Sequence, residues 1–156
     1  MSSDKDAPDV VIHPPIALAI AVVAALVLNW LYPLPILSMA MPGIEAGLVL
    51  LLAALLIVRW AAVTFRKAHT NILTSQSATA IVSDGPFARS RNPIYVAILL
   101  GLIGFALAFN SLWFLAALLP MYFVLRYGVI AREESYLERK FDQLYLDYKT
   151  RVRRWF

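Results

Sequence analysis

The chain has 156 residues, of which 61% are hydrophobic, and a formal net charge of +4. Its mean hydropathy is +0.71, and a soluble domain of this length rarely contains so much apolar sequence. The absence of cysteine excludes disulfides, thiolate metal ligands and a cysteine nucleophile. The two histidines, His13 and His69, form no zinc or di-iron spacing, and no nucleic-acid motif occurs. We therefore expect neither a metal cofactor nor a nucleic-acid partner.

Four apolar runs follow one another along the chain, over residues 16–31, 44–65, 94–109 and 112–130. A membrane-spanning helix needs roughly 20 apolar residues, with about 17 as the lower bound. The second and fourth runs meet this length, and the first and third are close to the limit. Only Asn110 and Ser111 separate the last two runs. We predict an all-α polytopic membrane protein, one domain over residues 1–156, with four transmembrane helices, the last two forming a tight hairpin.

Two features within the runs concern helix packing. The third run carries small residues on one side, which predicts close contact with a neighbouring helix: Ala97, Gly101, Gly104 and Ala108. Pro120 lies inside the fourth run and predicts a kink there. We hypothesise that a lipophilic molecule reaches the protein sideways from the bilayer, near this proline.

The basic residues predict the orientation in the membrane, because cytoplasmic loops carry an excess of lysine and arginine. The segment between the first two runs has no basic residue, whereas the segment before the third run carries Arg66, Lys67, Arg89 and Arg91. The C-terminal tail carries seven more after residue 130. We expect both termini and the central loop to be cytoplasmic, in an integral protein of a bacterial inner membrane.

A C-terminal helix over residues 131–152 is amphipathic and carries an unexpected carboxylate. At about 100° per residue, its apolar stripe comprises Ile130, Leu137, Phe141, Tyr145 and Tyr148. Glu134 projects from the middle of this stripe, next to Glu133. A buried carboxylate is costly unless it has a cationic partner or a function. The last residues, Arg153 to Phe156, are expected to act as an interfacial anchor.

The loop over residues 84–95 has features that favour the binding of an anion. Gly85-Pro86 predicts a turn, and Asn92-Pro93 predicts the start of the third helix, since Asn is a favoured N-cap and Pro a favoured first residue. A helix N-terminus attracts an anionic group, and Arg91 reinforces the field. Glu133 and Glu134 suit a cation. A zwitterionic cofactor with an amino and a carboxylate group matches this pair.

These residues resemble a family of membrane methyltransferases that includes isoprenylcysteine carboxyl methyltransferases and phospholipid N-methyltransferases. The segment from Gly85 to Tyr95 is similar to their glycine-proline, arginine-(histidine or asparagine)-proline-x-tyrosine motif. The tail is similar to their double-acid motif with phenylalanine, paired tyrosines and arginine-valine, at Glu133, Glu134, Phe141, Tyr145, Tyr148, Arg151 and Val152. The chain departs from the pattern at Asn92, where isoprenylcysteine enzymes have histidine, and at Asp142, where a glycine usually follows the phenylalanine.

The resemblance implies S-adenosylmethionine as methyl donor, held between the loop before the third helix and the C-terminal helix. The implied cofactor-binding residues are Gly85, Arg91, Asn92, Pro93, Tyr95, Glu133, Glu134, Tyr145 and Tyr148. Transfer is an in-line displacement, so the protein's tasks are positioning and electrostatics.

The resemblance leaves two classes of acceptor open. A carboxylate acceptor, as in an isoprenylcysteine-like molecule, needs an arginine, for which Arg132 and Arg151 are candidates. A lipid amine needs a proton acceptor, such as Glu134. Arg132 is nearly opposite Glu134 on a continuous helix, so its role requires a break near Ala131.

Two other functions remain open at the level of sequence. Membrane reductases that use NADPH have a related architecture and bind their cofactor in the same region. The chain could also be a non-enzymatic membrane protein. The sequence gives no oligomeric state.

Overall fold

The computed structural model describes residues 6–37, 43–71 and 76–155, and in these ranges the regular structure is entirely helical. Its first four helices are α1 (Pro14–Leu31), α2 (Gly43–Lys67), α3 (Pro93–Ala108) and α4 (Leu112–Phe123). Three helical stretches in these ranges are long and apolar enough to cross a membrane: Pro14–Leu31, Gly43–Lys67 and Leu112–Phe141. The third predicted span, α3, has 16 residues and a length of about 24 Å, which is less than the roughly 30 Å of a hydrocarbon core.

The helix that begins at Leu112 continues past the membrane segment. Pro120 lies within α4, and from Val124 to Ile130 the helix widens into a π-helical segment before α5 (Ala131–Phe141). An apolar helix of roughly 20 residues already crosses the hydrocarbon core, so we take residues 112–130 as the membrane segment. α5 contains six charged residues and therefore lies beyond it.

The predicted hairpin between the last two apolar runs is confirmed. Asn110 adopts a positive φ of 47°, and the Ser111 amide donates to the carbonyl of Ala106. The Asn110 side chain accepts hydrogen bonds from the amides of Ile36 and Leu37 at 2.9 and 2.8 Å. One residue thus closes the hairpin and fixes the segment that follows α1.

The structure divides the C-terminal amphipathic region at Asp142, into α5 and α6 (Gln143–Arg151). Asp142 has a φ of 44° and a ψ of −123°, a backbone conformation that glycine adopts without strain and residues with a side chain rarely adopt. This conformation explains why a glycine suits the position. Tyr145 and Tyr148 remain buried after the break, but on a separate helix from Glu134.

Small residues set the distance between α2 and α3, as predicted for the third run. A Cβ atom at Gly47 would lie 2.5 Å from the Ala108 amide nitrogen and 2.6 Å from the Gly104 carbonyl oxygen. The backbones therefore touch directly at this crossing. The main apolar core lies between α1, α3 and residues 112–130, around Leu102, Phe114 and Leu125. We call the end of the molecule that carries α5 and α6 the basic end.

Candidate cofactor pocket

A polar pocket lies at the basic end, bounded by the end of α2, the loop before α3, α5 and α6. Its volume is about 140 Å³. Six of the predicted site residues line it: Arg91, Asn92, Glu133, Glu134, Tyr145 and Tyr148. Phe65 and Phe87 add an aromatic wall, with their ring centroids 4.7 Å apart in an edge-to-face arrangement. The pocket thus combines charged groups with flat apolar surfaces.

Glu134 is buried and holds two arginines. Its Oε1 accepts from Arg91 Nη2 at 3.0 Å and from Arg154 Nε at 2.9 Å, and its Oε2 accepts from Arg154 Nη2 at 2.6 Å. Burial acts to raise the pKa of Glu134, but the Arg154 hydrogen bond and the charges of both arginines outweigh it, so the pKa is lowered. The same hydrogen bond raises the pKa of Arg154. Glu134 is therefore an ionised carboxylate with its charge already balanced.

Arg91 is fixed on nearly every side. Its side chain is 7% exposed, its Nη1 donates to the Lys149 carbonyl at 3.3 Å, and its amide donates to the Arg153 carbonyl at 2.9 Å. Its Nε is buried and has no hydrogen-bond partner among the described residues. Buried donors are rarely left unpaired, so the Nε of this pocket-lining arginine is a candidate contact for a ligand.

Glu133 differs from its neighbour because no cation pairs with it within the described ranges. Its Oε1 accepts from the Tyr95 hydroxyl at 2.6 Å. Burial raises the pKa of Glu133 to about 7; the Tyr95 hydrogen bond opposes this shift and the nearby Glu134 charge adds to it. In the described part of the chain its Oε2 accepts no hydrogen bond, and Glu133 lines the pocket. A ligand cation could bind this oxygen.

The start of α3 is built differently from the prediction. Pro93 is the first helical residue, as expected, but the Asn92 side chain makes no capping hydrogen bond. Its Nδ2 instead donates to the Arg154 carbonyl at 2.9 Å, and its amide donates to Ser90 Oγ at 3.1 Å. Asn92 thus joins the C-terminal tail to the loop before α3, and brings Arg154 to Glu134.

The paired tyrosines form one wall of the pocket. The Tyr148 hydroxyl donates to the Phe87 carbonyl at 2.8 Å, and the Tyr145 and Tyr148 ring centroids are 6.1 Å apart. Burial raises the pKa of both hydroxyls, so both stay protonated at neutral pH. They supply ring surface and not charge.

Five of the predicted residues do not line the pocket: Gly85, Pro93, Tyr95, Arg132 and Arg151. Arg132 is 45% exposed, and its Nη1 donates to the Asp9 carbonyl at 2.7 Å. The helix is unbroken at Ala131, so Arg132 stays on the face opposite Glu134. Arg151 is exposed and donates to the Asp147 carbonyl. Gly85 has a φ of 58° and packs against Thr64 of α2.

Arg154 is the site residue that sequence reasoning missed. Arg154, within the predicted interfacial anchor, folds back onto the loop before α3 and reaches Glu134, whereas Phe156 lies outside the described residues. α6 ends at Arg151, so helical periodicity gives no information about where residue 154 lies. The sequence indicated that a buried Glu134 needs cationic partners, but it did not identify which residues these are.

The segment before α1 covers one side of the pocket. Pro8 lines the pocket, and Asp6 accepts from Lys140, Ser77 and Tyr136. The Lys140 hydrogen bond lowers the pKa of Asp6 to about 2. The N-terminal segment, the loop before α3 and α5 are thus tied together beside the pocket.

Comparison with known proteins gives a family and two relatives. Residues 43–143 match the family described as phospholipid methyltransferase. The chain is 32% identical over 85 residues to the nickel-cobalt-cadmium resistance protein NccN of Alcaligenes xylosoxydans xylosoxydans, which covers 54% of the chain and 39% of that relative. It is 43% identical over 63 residues to an uncharacterized protein of Haemophilus influenzae, which covers 40% of the chain and 98% of that protein. The chain thus spans well under half the length of the first relative. No solved structure gives a significant match.

Proposed function

Because the chain belongs to the phospholipid methyltransferase family, we propose that it is a membrane methyltransferase that uses S-adenosylmethionine to methylate a lipophilic acceptor. The observation that carries the proposal is a pair of unsatisfied groups on two residues that line the same pocket. Among the described residues, Arg91 Nε is a buried donor without a partner and Glu133 is an acid without a cation. A free α-amino acid group, with its carboxylate and its ammonium, complements such a pair.

The residues present fit the cofactor. Arg91 would hold its carboxylate through Nε, because Glu134 fixes the guanidinium through Nη2. Glu133 would hold its ammonium, since Glu134 is already balanced by two arginines. Phe87 and Tyr148 would offer ring faces to the adenine. When bound, S-adenosylmethionine supplies a methyl group on a positively charged sulfur.

The surroundings of the arginines favour a lipid amine over a carboxylate as acceptor. Arg132 and Arg151, the candidates for holding a carboxylate, both lie outside the pocket. Arg154 is bound to Glu134, and Arg91 is bound to Glu134 and, in the proposed complex, to the carboxylate of the cofactor. An amine acceptor needs no arginine; its ammonium form gives one proton to the solvent at the membrane surface before the neutral nitrogen attacks the methyl group. With its lowered pKa, Glu134 is a weak proton acceptor, so we assign it the role of a positioning residue for Arg91.

The distribution of basic residues supports one orientation in the membrane. α5, α6, the tail after α6 and the loop before α3 carry nine of the 14 arginines and lysines, which supports a cytoplasmic location for the basic end. A water-soluble cofactor would then enter from the cytoplasm, and a lipid acceptor would enter from the bilayer.

Calorimetry with S-adenosylhomocysteine tests the cofactor assignment. We expect saturable binding to the detergent-purified protein and binding at least about tenfold weaker in Glu133→Gln, the loss expected for a charge-assisted hydrogen bond. Glu138→Gln is the matched control, since Glu138 pairs with Lys149 and does not line the pocket. Binding of NADPH in place of S-adenosylhomocysteine would support the reductase. Binding of neither to the folded protein would support a non-enzymatic role.

Transfer of a radiolabelled methyl group tests the acceptor class. Vesicles that contain phosphatidylethanolamine offer a lipid amine, and a farnesylated cysteine offers a carboxylate. We expect label in the phosphatidylethanolamine vesicles. Label in the farnesylated cysteine alone would contradict the preference for an amine while leaving the cofactor assignment intact.

A further inference from the structure

A second cavity lies between α1 and α4, apart from the polar pocket. It is a groove of about 440 Å³. Six alanines line it: Ala17, Ala21, Ala24 and Ala25 from α1, and Ala116 and Ala117 from α4. Because an alanine side chain ends at Cβ, helices that face each other through alanines leave a furrow between their backbones. We call this cavity the alanine groove.

The alanine groove is open on one side and closed on the other. Ala25 and Met121 form its floor and are 2% and 4% exposed. Ile20 and Pro120 lie at its rim and are exposed. None of the described residues that line it is charged. Because α1 and residues 112–130 belong to helices long and apolar enough to cross a membrane, the open side faces hydrocarbon.

The dimensions and lining of the alanine groove favour a hydrocarbon chain as occupant. A helix with its side chains is about 10–12 Å across, so it would cover the groove from outside and would not lie within the furrow. Water is unsuited because a buried water needs two to four polar partners, and the lining is almost entirely apolar. An acyl chain is thin and flexible, and it is the material that surrounds these helices in a bilayer.

One short segment connects the alanine groove to the polar pocket. Ile12 lines the groove and Pro8 lines the pocket. Four residues span at most about 14 Å. The Val11 amide donates to the Gly128 carbonyl at 3.0 Å, which fixes the segment along the π-helical part of the membrane helix. The groove therefore ends at the basic end, beside the pocket.

From this juxtaposition we propose that the alanine groove holds one acyl chain of the phospholipid that accepts the methyl group. The inference rests on the proposed function and adds the binding site of the acceptor's tail. With its chain in the groove, the lipid presents its headgroup at the Pro8–Ile12 segment, next to the pocket. α1 lies outside residues 43–143, the range matched to the family, so this wall is contributed by a part of the chain outside the matched region.

Photo-crosslinking in nanodiscs tests the proposal with the full chain. The probe is phosphatidylethanolamine that carries a diazirine on one acyl chain, and mass spectrometry maps the labelled residues. We expect α1 and residues 112–130 to be labelled more strongly than Leu52, an exposed apolar residue of α2 outside the groove. Ala116→Phe fills the groove from its exposed rim and should lower the labelling about tenfold, corresponding to about 1.4 kcal/mol.

Two further variants make the test specific. Ala24→Phe fills the groove from the opposite wall and replaces Ala116→Phe if that variant does not fold. Leu52→Phe adds a ring to the lipid-facing surface of α2 and should leave groove labelling unchanged. All three variants should bind S-adenosylhomocysteine as the wild type does.

The possible outcomes test the acyl-chain site separately from the proposed methyltransferase function. Equal labelling of the groove and of α2, or labelling unaffected by both groove variants, overturns the acyl-chain site even if S-adenosylhomocysteine binds. Crosslinked dimers joined through α1 overturn it as well, because a second copy then covers the groove. Strong groove labelling without S-adenosylhomocysteine binding overturns the proposed function and, with it, the role of the bound lipid as acceptor.

Discussion

The membrane part of the molecule and its basic end are held together by different forces. In the membrane part, α2 and α3 approach until the backbone at Gly47 meets that at Gly104 and Ala108. At the basic end, Glu134 binds Arg91 from 43 residues away and Arg154 from 20 residues away. Packing of small residues therefore fixes one part, and charge pairs between distant segments fix the other. Substitutions in the two parts should have different effects on folding and on binding.

Glu134→Ala should give the largest effect, because it changes folding and binding together. The substitution leaves Arg91 and Arg154 without their carboxylate, and Arg91 is 7% exposed. Removal of one partner from a buried ion pair costs about 3–5 kcal/mol. We expect a loss of this size in the free energy of unfolding, measured by titration with SDS in mixed micelles, together with loss of S-adenosylhomocysteine binding.

Glu138→Ala is the control for this variant. Glu138 pairs with Lys149, and both side chains are 36% exposed. Solvent screens such a pair, so its removal should cost at most about 1 kcal/mol. Equal losses from the two variants would mean that the Glu134 cluster does not hold the basic end together.

Arg91→Lys should separate binding from folding within the basic end. Lysine keeps a positive charge near Glu134 but has no equivalent of the buried Nε donor. A hydrogen bond to a charged group contributes about 1.5–3 kcal/mol, so the affinity for S-adenosylhomocysteine should fall about 10- to 100-fold. Calorimetry measures the loss. Arg89→Lys in the same loop is the control, because Arg89 is exposed and does not line the pocket; an unchanged affinity in Arg91→Lys would exclude a ligand contact at Nε.

Gly47→Ala should differ from Arg91→Lys in which quantity it changes. It should lower the free energy of unfolding and leave the binding of S-adenosylhomocysteine unchanged. Its new Cβ would lie 2.5 Å from a backbone nitrogen of α3, and the backbone cannot rotate away as a side chain can. Overpacking of this kind costs about 1–3 kcal/mol. Gly101→Ala, whose Cβ would meet only the Ala54 Cβ at 4.0 Å, should be close to wild type in SDS titration. If both variants unfold alike, close backbone contact is not what joins α2 and α3.

The membrane part was largely predictable from sequence, because apolar length and small-residue spacing are local properties. They predicted the helices, the hairpin at Asn110 and the packing face of α3. The 16-residue length of α3 agrees with the predicted run over residues 94–109. The π-helical segment after Pro120 was not predicted, because run lengths alone do not show how the turns of a helix widen.

The sequence predicted the charged character of the basic end, but it did not predict which charged residues pair there. The sequence indicated that Glu134 needs a cation without identifying it, and it offered Arg132 as a candidate for holding a carboxylate acceptor. Arg132 instead contacts Asp9, while Arg154 comes from beyond the end of α6. The break at Asp142 and the return of the tail depend on contacts between distant segments, such as that between Asn92 and the Arg154 carbonyl, which no periodicity records.

Glu133 provides the smallest and most selective test, because it should act only through its charge. Burial raises the pKa of Glu133 to about 7, so the carboxyl is neutral below that pH and ionised above it. Only the ionised form can hold an ammonium. The affinity for S-adenosylhomocysteine should therefore be constant above about pH 7 and fall about tenfold per unit below it, since one pKa unit corresponds to about 1.4 kcal/mol.

The groups around Glu133 allow the pH dependence of the affinity to be assigned to this residue. Tyr95 donates a hydrogen bond to it, and the lowered pKa of Glu134 keeps that residue ionised. Glu133→Gln should bind more weakly and with no slope between about pH 5.5 and 8.5, a range centred on the raised pKa. A slope that persists in Glu133→Gln would assign the titration to another group. A flat wild-type profile would mean that the ammonium binds elsewhere, and the unpaired acid in the pocket wall would then lose its proposed role.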